Sequence, residues 1–266
     1  DDLFKGFIHV ISTVDLRIQD IANQALENGL AEYEKRYPKE RGIIQGAVII
    51  LRNNDSAILA EIGGRYWYQN RSYKYSDLNR VNRGRQAGSA FKPFVYLTAY
   101  MNGWLPTDTI VDSPFSVSMG YGRGKHFIHN YDQKYLGTST LEDMLKRSRN
   151  IPTIKLALML GDGEKSGMEK IAETTKLLGI ESELHNDTDH RGKKVYYITS
   201  ALGSSEMTLM ELTNAYRAMA SGIYAKPYMI RGVVGRDGNN IMVKILGMTH
   251  VNIDPSYLEM IQSGLR

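Results

Sequence analysis

A serine and a lysine three positions apart, Ser89 and Lys92, form the first pair in this sequence that could carry out covalent chemistry. They follow Gly88, which ends an irregular segment, and an apolar helix is predicted to begin at or near Ser89. Residues three apart on a helix share one face. A desolvated lysine with a lowered pKa can take the proton of a serine hydroxyl, and the helix N-terminus favours the oxyanion that develops. One Ser-x-x-Lys match is also expected by chance in about every chain of this length, so the pair alone leaves both interpretations open.

A second polar pair, Ser148 and Asn150, is predicted at an elbow between a helix that ends near Arg147 and one that starts at Pro152. A hydroxyl and an amide at such an elbow could point into a cleft, where one relays a proton and the other holds a substrate amide. Serine and asparagine also cap helix N-termini well. Taken alone, this pair favours the simpler hypothesis that both residues cap the following helix.

The elements that must position these residues follow from apolar periodicity and turn residues. The pattern predicts helices over Asp15–Tyr37, Phe94–Met101, Leu141–Arg147, Pro152–Leu160, Met168–Leu178 and Thr208–Ser221, with Thr13 or Asp15 and Thr140 as N-caps. It predicts a hairpin of Ala47–Arg52 with Ala57–Ile62, and later strands over Ile230–Val234 and Ile241–Ile245. Residues 102–137 are rich in turn residues and are predicted to be surface loops with short elements. The sequence therefore indicates one mixed α/β domain.

The composition excludes several classes of protein. The 266 residues contain no Cys, which removes disulfide scaffolds, thiol nucleophiles and cysteine metal sites. A formal charge of +4 would favour approach to an anionic polymer but is too small for a nucleic-acid-binding surface. No apolar run approaches the ~20 residues of a spanning helix, and the first ten residues lack a signal-peptide pattern. Because the chain also begins without Met, we expect a fragment of a larger protein.

Four segments of the chain share one resemblance. Arg85–Phe94 contains the first pair, Arg147–Pro152 contains the second, Thr13–Gln19 precedes both, and Gly203–Tyr216 follows them. As a set they resemble the transpeptidase domain of bifunctional (class A) penicillin-binding proteins, within the penicillin-binding protein and serine β-lactamase superfamily. On this resemblance residues 1–266 are the larger, N-terminal part of such a domain, and residues 1–12 are the end of an upstream linker.

The resemblance implies an α/β (α+β) fold in which an antiparallel β-sheet packs between helices beside a helical subdomain. It implies that Ser89 is the acylated nucleophile and that Lys92 is its base. Ser148 would pass the proton to the departing D-alanine nitrogen, and Asn150 would hold the donor peptide and Lys92. The backbone N–H of Ser89 would supply half of the oxyanion hole, and Gly88, Ser148 and Asn150 would contact the substrate. No metal ion or organic cofactor is implied.

The resemblance also implies partners and a location. The substrates would be a D-Ala-D-Ala stem peptide of peptidoglycan and an amine acceptor, and β-lactam antibiotics would acylate the same serine. An upstream glycosyltransferase domain and a membrane anchor outside this chain would hold the domain on the extracytoplasmic face of the bacterial plasma membrane. No nucleic-acid partner is expected, although Arg80, Arg83 and Arg85 form a small basic cluster.

The third motif of the family, Lys-Thr/Ser-Gly on an edge strand, has one literal match, Lys165–Gly167. We reject this match because it is predicted to open a helix, with Ser166 and Glu169 spaced as a capping box, and because it precedes Gly203–Tyr216. We expect the true motif soon after residue 266, which would leave the sheet of this chain incomplete.

Other functions are weighed against the transpeptidase. Glu181–Asn186 faintly resembles the loop with which class A β-lactamases activate a deacylating water, but Arg149 stands where those enzymes usually carry Asp. A D,D-carboxypeptidase would differ only in passing the acyl group to water. A non-catalytic scaffold would keep the fold and lack the third motif. His126 and His129 have a spacing that metal ligands can use, but no third ligand is evident, and we predict loop residues.

Overall fold

The computed structural model describes residues 8–65, 78–118, 124–185, 187–188, 192, 194–235 and 237–266. The α-helices in this part of the chain are α1 (Leu16–Arg36), α2 (Lys92–Met101), α3 (Leu141–Lys146), α4 (Asn150–Met159), α5 (Glu164–Leu177), α6 (Leu209–Ser221) and α7 (Pro255–Gly264). Short 3₁₀ turns cover Pro38–Glu40, Gly88–Phe91 and Ile198–Leu202. None of the described helices is long and apolar enough to cross a lipid bilayer.

The strands are short and pair in antiparallel fashion. They are β1 (His9–Ser12), β2 (Val48–Leu51), β3 (Ile58–Ile62), β4 (Arg85–Gln86), β5 (Thr109–Asp112), β6 (Phe115–Ser118), β7 (Lys125–Ile128), β8 (Gly137–Thr140), β9 (Asp187–Thr188), β10 (Lys194–Val195), β11 (Glu206–Met207), β12 (Ile223–Tyr224), β13 (Ile230–Val234), β14 (Asn240–Val243) and β15 (Thr249–His250). The largest described sheet has the order β1-β13-β14, and the remaining strands form the pairs β2-β3, β4-β11, β5-β8, β6-β7, β9-β10 and β12-β15.

The chain divides into two compact units, each built from two segments. The first unit contains Asp1–Gly84 and Thr208–His250, and the second contains Arg85–Met207 and Val251–Arg266. The chain therefore leaves the first unit, builds most of the second, returns to the first, and contributes its last residues to the second.

In the first unit, a long helix packs on a hairpin. Asp15 caps α1 by accepting the backbone N–H groups of Arg17 and Ile18, as the sequence predicts. Ala22 of α1 packs against Ala60 and Ile62 of β3, which makes one small apolar core. The β2-β3 hairpin is confirmed, with a bulge near its turn. The predicted strand over Ile230–Val234 is also confirmed, and its partner β1 occupies the last part of the segment assigned to a linker.

In the second unit, α2 is the buried centre. Every residue from Lys92 to Tyr100 is buried, and α4, α5 and α7 pack around this helix. A helix that is covered on all sides and carries a lysine at its first position must satisfy that charge internally. The position of Lys92 is therefore the feature of the fold that bears on function.

The main differences from the sequence prediction lie in the second unit. Two antiparallel strand pairs, β5-β8 and β6-β7, begin within residues 102–137, where loops with short elements are predicted. Helix α7 is not predicted at all, although Asp254 caps it and Pro255 stands at its start. Helix α4 begins at Asn150, two residues before the predicted start at Pro152.

Candidate active site

Ser89 stands on a tight turn that runs directly into α2. Residues Gly88–Phe91 form a 3₁₀ turn, and Lys92 begins the α-helix. In a 3₁₀ turn the side chains at positions i and i+3 eclipse each other, so Ser89 and Lys92 share one face, as predicted. Ser89 is exposed, and its hydroxyl has no hydrogen-bond partner within the described residues. The hydroxyl is thus open to an incoming substrate.

Lys92 is buried and held at three points by the elbow between α3 and α4. Only 1% of the residue is exposed. Its Nζ donates to Oδ1 of Asn150 at 2.7 Å, to Oγ of Ser148 at 3.0 Å and to the carbonyl oxygen of Ser148 at 2.5 Å. Burial, together with the smaller effect of the nearby positive charge of Arg149, lowers the pKa of Lys92 to about 8. At a pKa of about 8, roughly a tenth of this amine is neutral at pH 7.

The elbow at Ser148 and Asn150 is not a helix cap. Asn150 is the first residue of α4, the N-cap residue is Arg149, and the side chain of that N-cap residue makes no cap hydrogen bond. The interpretation that both residues cap the following helix is therefore wrong. The physical reason is that Lys92 competes for the same oxygens, and a buried ammonium group gains more from them than a helix terminus does. Pro152 is tolerated because it lies in the first turn, where backbone donors lack intrahelical acceptors.

Ser148 has an unusual backbone conformation. Its φ is +51°, in the left-handed region that a serine rarely adopts. This conformation turns both its hydroxyl and its carbonyl oxygen toward Lys92 Nζ. Strained backbone conformations of this kind occur mostly at functional sites. They persist only where the surrounding structure holds the residue in place.

Sequence reasoning missed the residues that hold this elbow. Asp112, Asn130 and Arg149 are buried and hydrogen-bonded to one another or to Asn150. Asp112 ends β5 and Asn130 follows β7, in the region predicted as loops. In the sequence, Asp112 and Asn130 are marked only as polar residues at or near the ends of short strands. No rule of sequence spacing connects these two positions to residue 149.

Gly203 supports the turn that carries Ser89. Its carbonyl oxygen accepts the backbone N–H of Gly88 at 3.0 Å, and its φ is +78°. The β4-β11 pair continues this contact, because Arg85 and Gln86 pair with Met207 and Glu206. The Gly203–Tyr216 segment thus begins on the backbone next to the serine. Gly88 itself has a φ of +56°.

The rejected motif and the β-lactamase-like loop lie elsewhere. Lys165–Gly167 is inside α5, whose N-cap is Gly163 without a side-chain cap bond, so the motif is helical but the predicted capping box is wrong. Hydrogen bonds from Lys194 and Lys176 lower the pKa of Glu183 to about 2, so this carboxylate is tied down at the surface. Asn186 lies outside the described residues.

The two histidines lie on and beside β7. Both are exposed, and His129 contributes its backbone carbonyl, which accepts Nδ2 of Asn150 at 2.7 Å. Across the described ranges, no cluster of three or more His, Cys, Asp or Glu side chains has the arrangement of a metal site.

Comparison with known proteins identifies the family. The sequence model of the penicillin binding protein transpeptidase domain matches residues 46–266. Penicillin-binding protein 1A of Rickettsia conorii is 32% identical over 225 residues, which are 82% of this chain and 26% of that protein. The chain thus spans about a quarter of the length of this curated relative.

Solved structures agree on the fold. The penicillin-binding protein PonA1 from Mycobacterium tuberculosis superimposes with a TM-score of 0.76 at 22% identity, over 98% of this chain and 63% of that one. PonA1 in complex with penicillin V superimposes with a TM-score of 0.68 at 23% identity, over 91% and 59% of the two chains. The chain belongs to the penicillin-binding protein transpeptidase family, and the predicted family and fold class are confirmed.

The structure brings three of the predicted site residues into contact. Lys92, Ser148 and Asn150 meet at one amine, and Ser89 stands one 3₁₀ turn before Lys92. The roles assigned to these residues, and the substrate contact assigned to Gly88, remain predictions.

Proposed function

We propose that this domain transfers acyl groups of peptidoglycan stem peptides through Ser89. The observation that carries the proposal is the position of the buried Lys92. Its Nζ contacts Ser148 and Asn150, and the residue lies one turn after the exposed Ser89. A serine needs a nearby base to become a nucleophile, and a lysine becomes such a base when burial favours its neutral form. Membership in the transpeptidase family supports the same chemistry.

The proposed reaction has two steps. In the first, neutral Lys92 takes the proton of Ser89 Oγ, which attacks the carbonyl carbon between the two D-alanines. The C–N bond breaks, and Ser148 passes the proton from Lys92 to the departing D-alanine nitrogen. In the second step, an amine of a neighbouring strand attacks the carbonyl carbon of the ester and loses a proton to the same relay. The ester C–O bond breaks, and the relay returns the proton to Ser89 Oγ. The Ser89 backbone N–H, at the start of the turn, would donate to the oxyanion.

Asn150 has a divided role in this proposal. Its Oδ1 accepts from Lys92 Nζ, which fixes the amine, and one N–H of its amide group donates to the carbonyl oxygen of His129. An amide NH₂ group has two donors. The second N–H of Asn150 is the group that would hold the donor peptide.

The setting of the whole protein belongs to the same proposal. A relative of which this chain covers 26% bears the name penicillin-binding protein 1A. From this similarity we infer that the complete protein has an upstream glycosyltransferase domain and a membrane anchor. The transpeptidase domain would then lie on the extracytoplasmic side of the membrane. The substrate carboxylate needs a Lys-Thr-Gly or Lys-Ser-Gly motif other than Lys165–Gly167, because that segment lies within α5.

Acylation by a β-lactam tests the proposal. Protein expressed from the complete gene is incubated with penicillin, and its intact mass is measured, followed by peptide mapping. We expect one penicilloyl adduct on the peptide that contains Ser89, and no adduct in Ser89→Ala. The matched control is Ser221→Ala, at the end of α6 in the first unit, which should be acylated like the wild type. An unmodified wild type, or an adduct that persists in Ser89→Ala, would refute the proposal.

Products then separate the related activities. With a D-Ala-D-Ala pentapeptide and an amine acceptor, a transpeptidase yields a cross-linked product, and a carboxypeptidase yields only the shortened peptide. Rapid loss of the penicilloyl adduct would indicate a β-lactamase, which the ion pairs of Glu183 disfavour. A complete gene without the third motif would favour the scaffold.

A further inference from the structure

The elbow that presents Ser148 and Asn150 to Lys92 is held from behind by a buried ion pair. Arg149, between the two, is only 6% exposed. Its Nε donates to Oδ2 of Asp112 at 2.9 Å, and its Nη1 donates to both oxygens of Asp132 at 3.1 and 3.0 Å. Its Nη2 donates to the carbonyl oxygen of Lys134. Every nitrogen of the guanidinium group therefore has a partner.

Asp112 connects this pair to the rest of the elbow. The side chain is fully buried at the end of β5. Its Oδ1 accepts Nδ2 of Asn130 at 2.8 Å, and its Oδ2 also accepts the backbone N–H of Leu136 at 3.1 Å. A buried carboxylate with this many donors is fixed in one orientation, and it fixes its neighbours in turn.

Asn130 completes the connection to α4. Its Nδ2 also donates to the carbonyl oxygen of Lys134 at 2.9 Å, and its Oδ1 accepts the backbone N–H of Asn150 at 2.9 Å. The start of α4 is therefore capped by a side chain from another part of the second unit rather than by its own N-cap residue. The backbone of Asn150 is held by Asn130, while the side chain of Asn150 reaches Lys92.

The strain at Ser148 explains why such a support is needed. A serine with φ of +51° persists only where the surrounding structure over-determines its conformation. Arg149 is the next residue, and its bonds to Asp112 and Asp132 fix the chain directly after Ser148. Without them the elbow could relax, and the oxygens of Ser148 and Asn150 would leave Lys92 Nζ.

We propose that Arg149, Asp112 and Asn130 are positioning residues for acylation, which lock the strained elbow so that Ser148 and Asn150 contact Lys92. The inference rests on the proposed function, because acylation of Ser89 is the step it concerns. None of the three touches the reacting atoms; each acts through the geometry at Lys92. Arg149 has a second effect, because its positive charge adds to burial in lowering the pKa of Lys92.

The charged surroundings of Lys92 make this second effect measurable. Ser148 and Asn150, which contact Lys92 Nζ, are uncharged. Among the described residues, Arg149 is the charged side chain that affects the pKa of this amine. Replacement by Met removes the charge and the bonds together, whereas Lys keeps the charge but cannot bridge two carboxylates with a planar fork. The two substitutions therefore separate position from charge.

The test measures the rate of acylation by a fluorescent penicillin, per folded molecule, as a function of pH in protein from the complete gene. We expect Arg149→Met and Arg149→Lys each to slow acylation on the order of 100-fold, as loss of alignment does. Arg149→Met should also raise the apparent pKa of the pH–rate profile, and Arg149→Lys should leave that pKa in place. Asp112→Asn, which is nearly isosteric, should slow acylation and keeps the test informative where Arg149→Met does not fold.

The matched control is Arg65→Met in the first unit. Arg65 also lies between two carboxylates, with Nη2 3.1 Å from Oε2 of Glu27 and Nη1 2.5 Å from Oε1 of Glu34. Its loss should lower stability and leave the acylation rate and its pH profile unchanged. Wild-type rates and profiles in Arg149→Met and Asp112→Asn would overturn the inference while the proposed function stands. A wild type that is not acylated at Ser89 would overturn both.

Discussion

Lys92 shows how one residue is made reactive by where the fold puts it. A lysine at the surface is almost entirely protonated at neutral pH and cannot accept a proton. Burial in α2 makes the charged form costly, and the oxygens of Ser148 and Asn150 keep the amine in place in spite of that cost. The lowered pKa and the fixed position are therefore two results of one arrangement.

The pH dependence of acylation follows from this pKa. Only neutral Lys92 can act as the base, and its pKa is about 8, so the neutral fraction grows as pH rises toward that value. We expect the acylation rate constant to rise about tenfold per pH unit well below pH 8 and to level off above it. Stopped-flow measurements with a fluorescent penicillin between pH 5 and about pH 10, the span over which this group titrates, give the profile.

A lysine outside the site provides the control for this profile. Lys170 on α5 donates to Oδ1 of Asn102 at 2.9 Å, and Lys170→Gln should leave the inflection where it is. An inflection near the pKa of an ordinary lysine, or a rate that falls as pH rises through neutrality, would contradict the role of Lys92 as the base.

Among the elements, the turn of Ser89 depends on a close backbone contact. Gly203 ends the 3₁₀ turn Ile198–Leu202 and lies directly against Gly88. A Cβ at position 203 would stand 2.5 Å from the backbone nitrogen of Gly88, too close for any side chain. Glycine is therefore needed at this position both for its positive φ and for the contact.

Gly203→Ala should damage the site more than a strained backbone alone would. We expect a loss of about 1–3 kcal/mol in the free energy of unfolding and slower acylation, because Gly88 and then Ser89 must shift. Gly103→Ala is the matched control, since Gly103 has φ of +92° but open space around its Cβ position. It should lose stability through strain and keep the wild-type acylation rate. Equal acylation rates in the two variants would refute the contact argument. Urea unfolding and penicillin acylation measure the two quantities.

The sequence predicted elements well where the signal was local. The periodicity of α1, the N-cap of α3 at Thr140 and the hairpin β2-β3 all depend on residues close in sequence. The pair β5-β8 was missed because its strands have four residues each and their partners lie far apart in the chain. The same holds at the site: Ser89 and Lys92 were found by spacing, whereas Asp112 and Asn130 reach the elbow only through the fold.

At the scale of the whole molecule, the second unit depends on a segment from the far end of the chain. Helix α7 follows Thr208–His250, which belongs to the first unit, yet it packs against α2 and α3 in the second. Its absence from the sequence prediction has a physical reason, because an apolar stretch of ten residues is marginal as a helix until it has a surface to cover. The buried core around α2 is thus completed late along the chain.

Ile261→Ala tests how much α7 contributes to the second unit. Ile261 is fully buried, so its truncation should lower the free energy of unfolding by about 2–5 kcal/mol. Leu265→Ala is the control, because Leu265 is 45% exposed and should lose within about 0.5 kcal/mol. With Trp67→Phe as the background, Trp104 is the one tryptophan left among these 266 residues and lies in the second unit, so its fluorescence in urea reports on that unit. If the two variants unfold at the same urea concentration, α7 does not support the helix that carries Lys92. If Ile261→Ala unfolds at a lower urea concentration than Leu265→Ala, then residues of α7 stabilise the unit that contains the turn of Ser89.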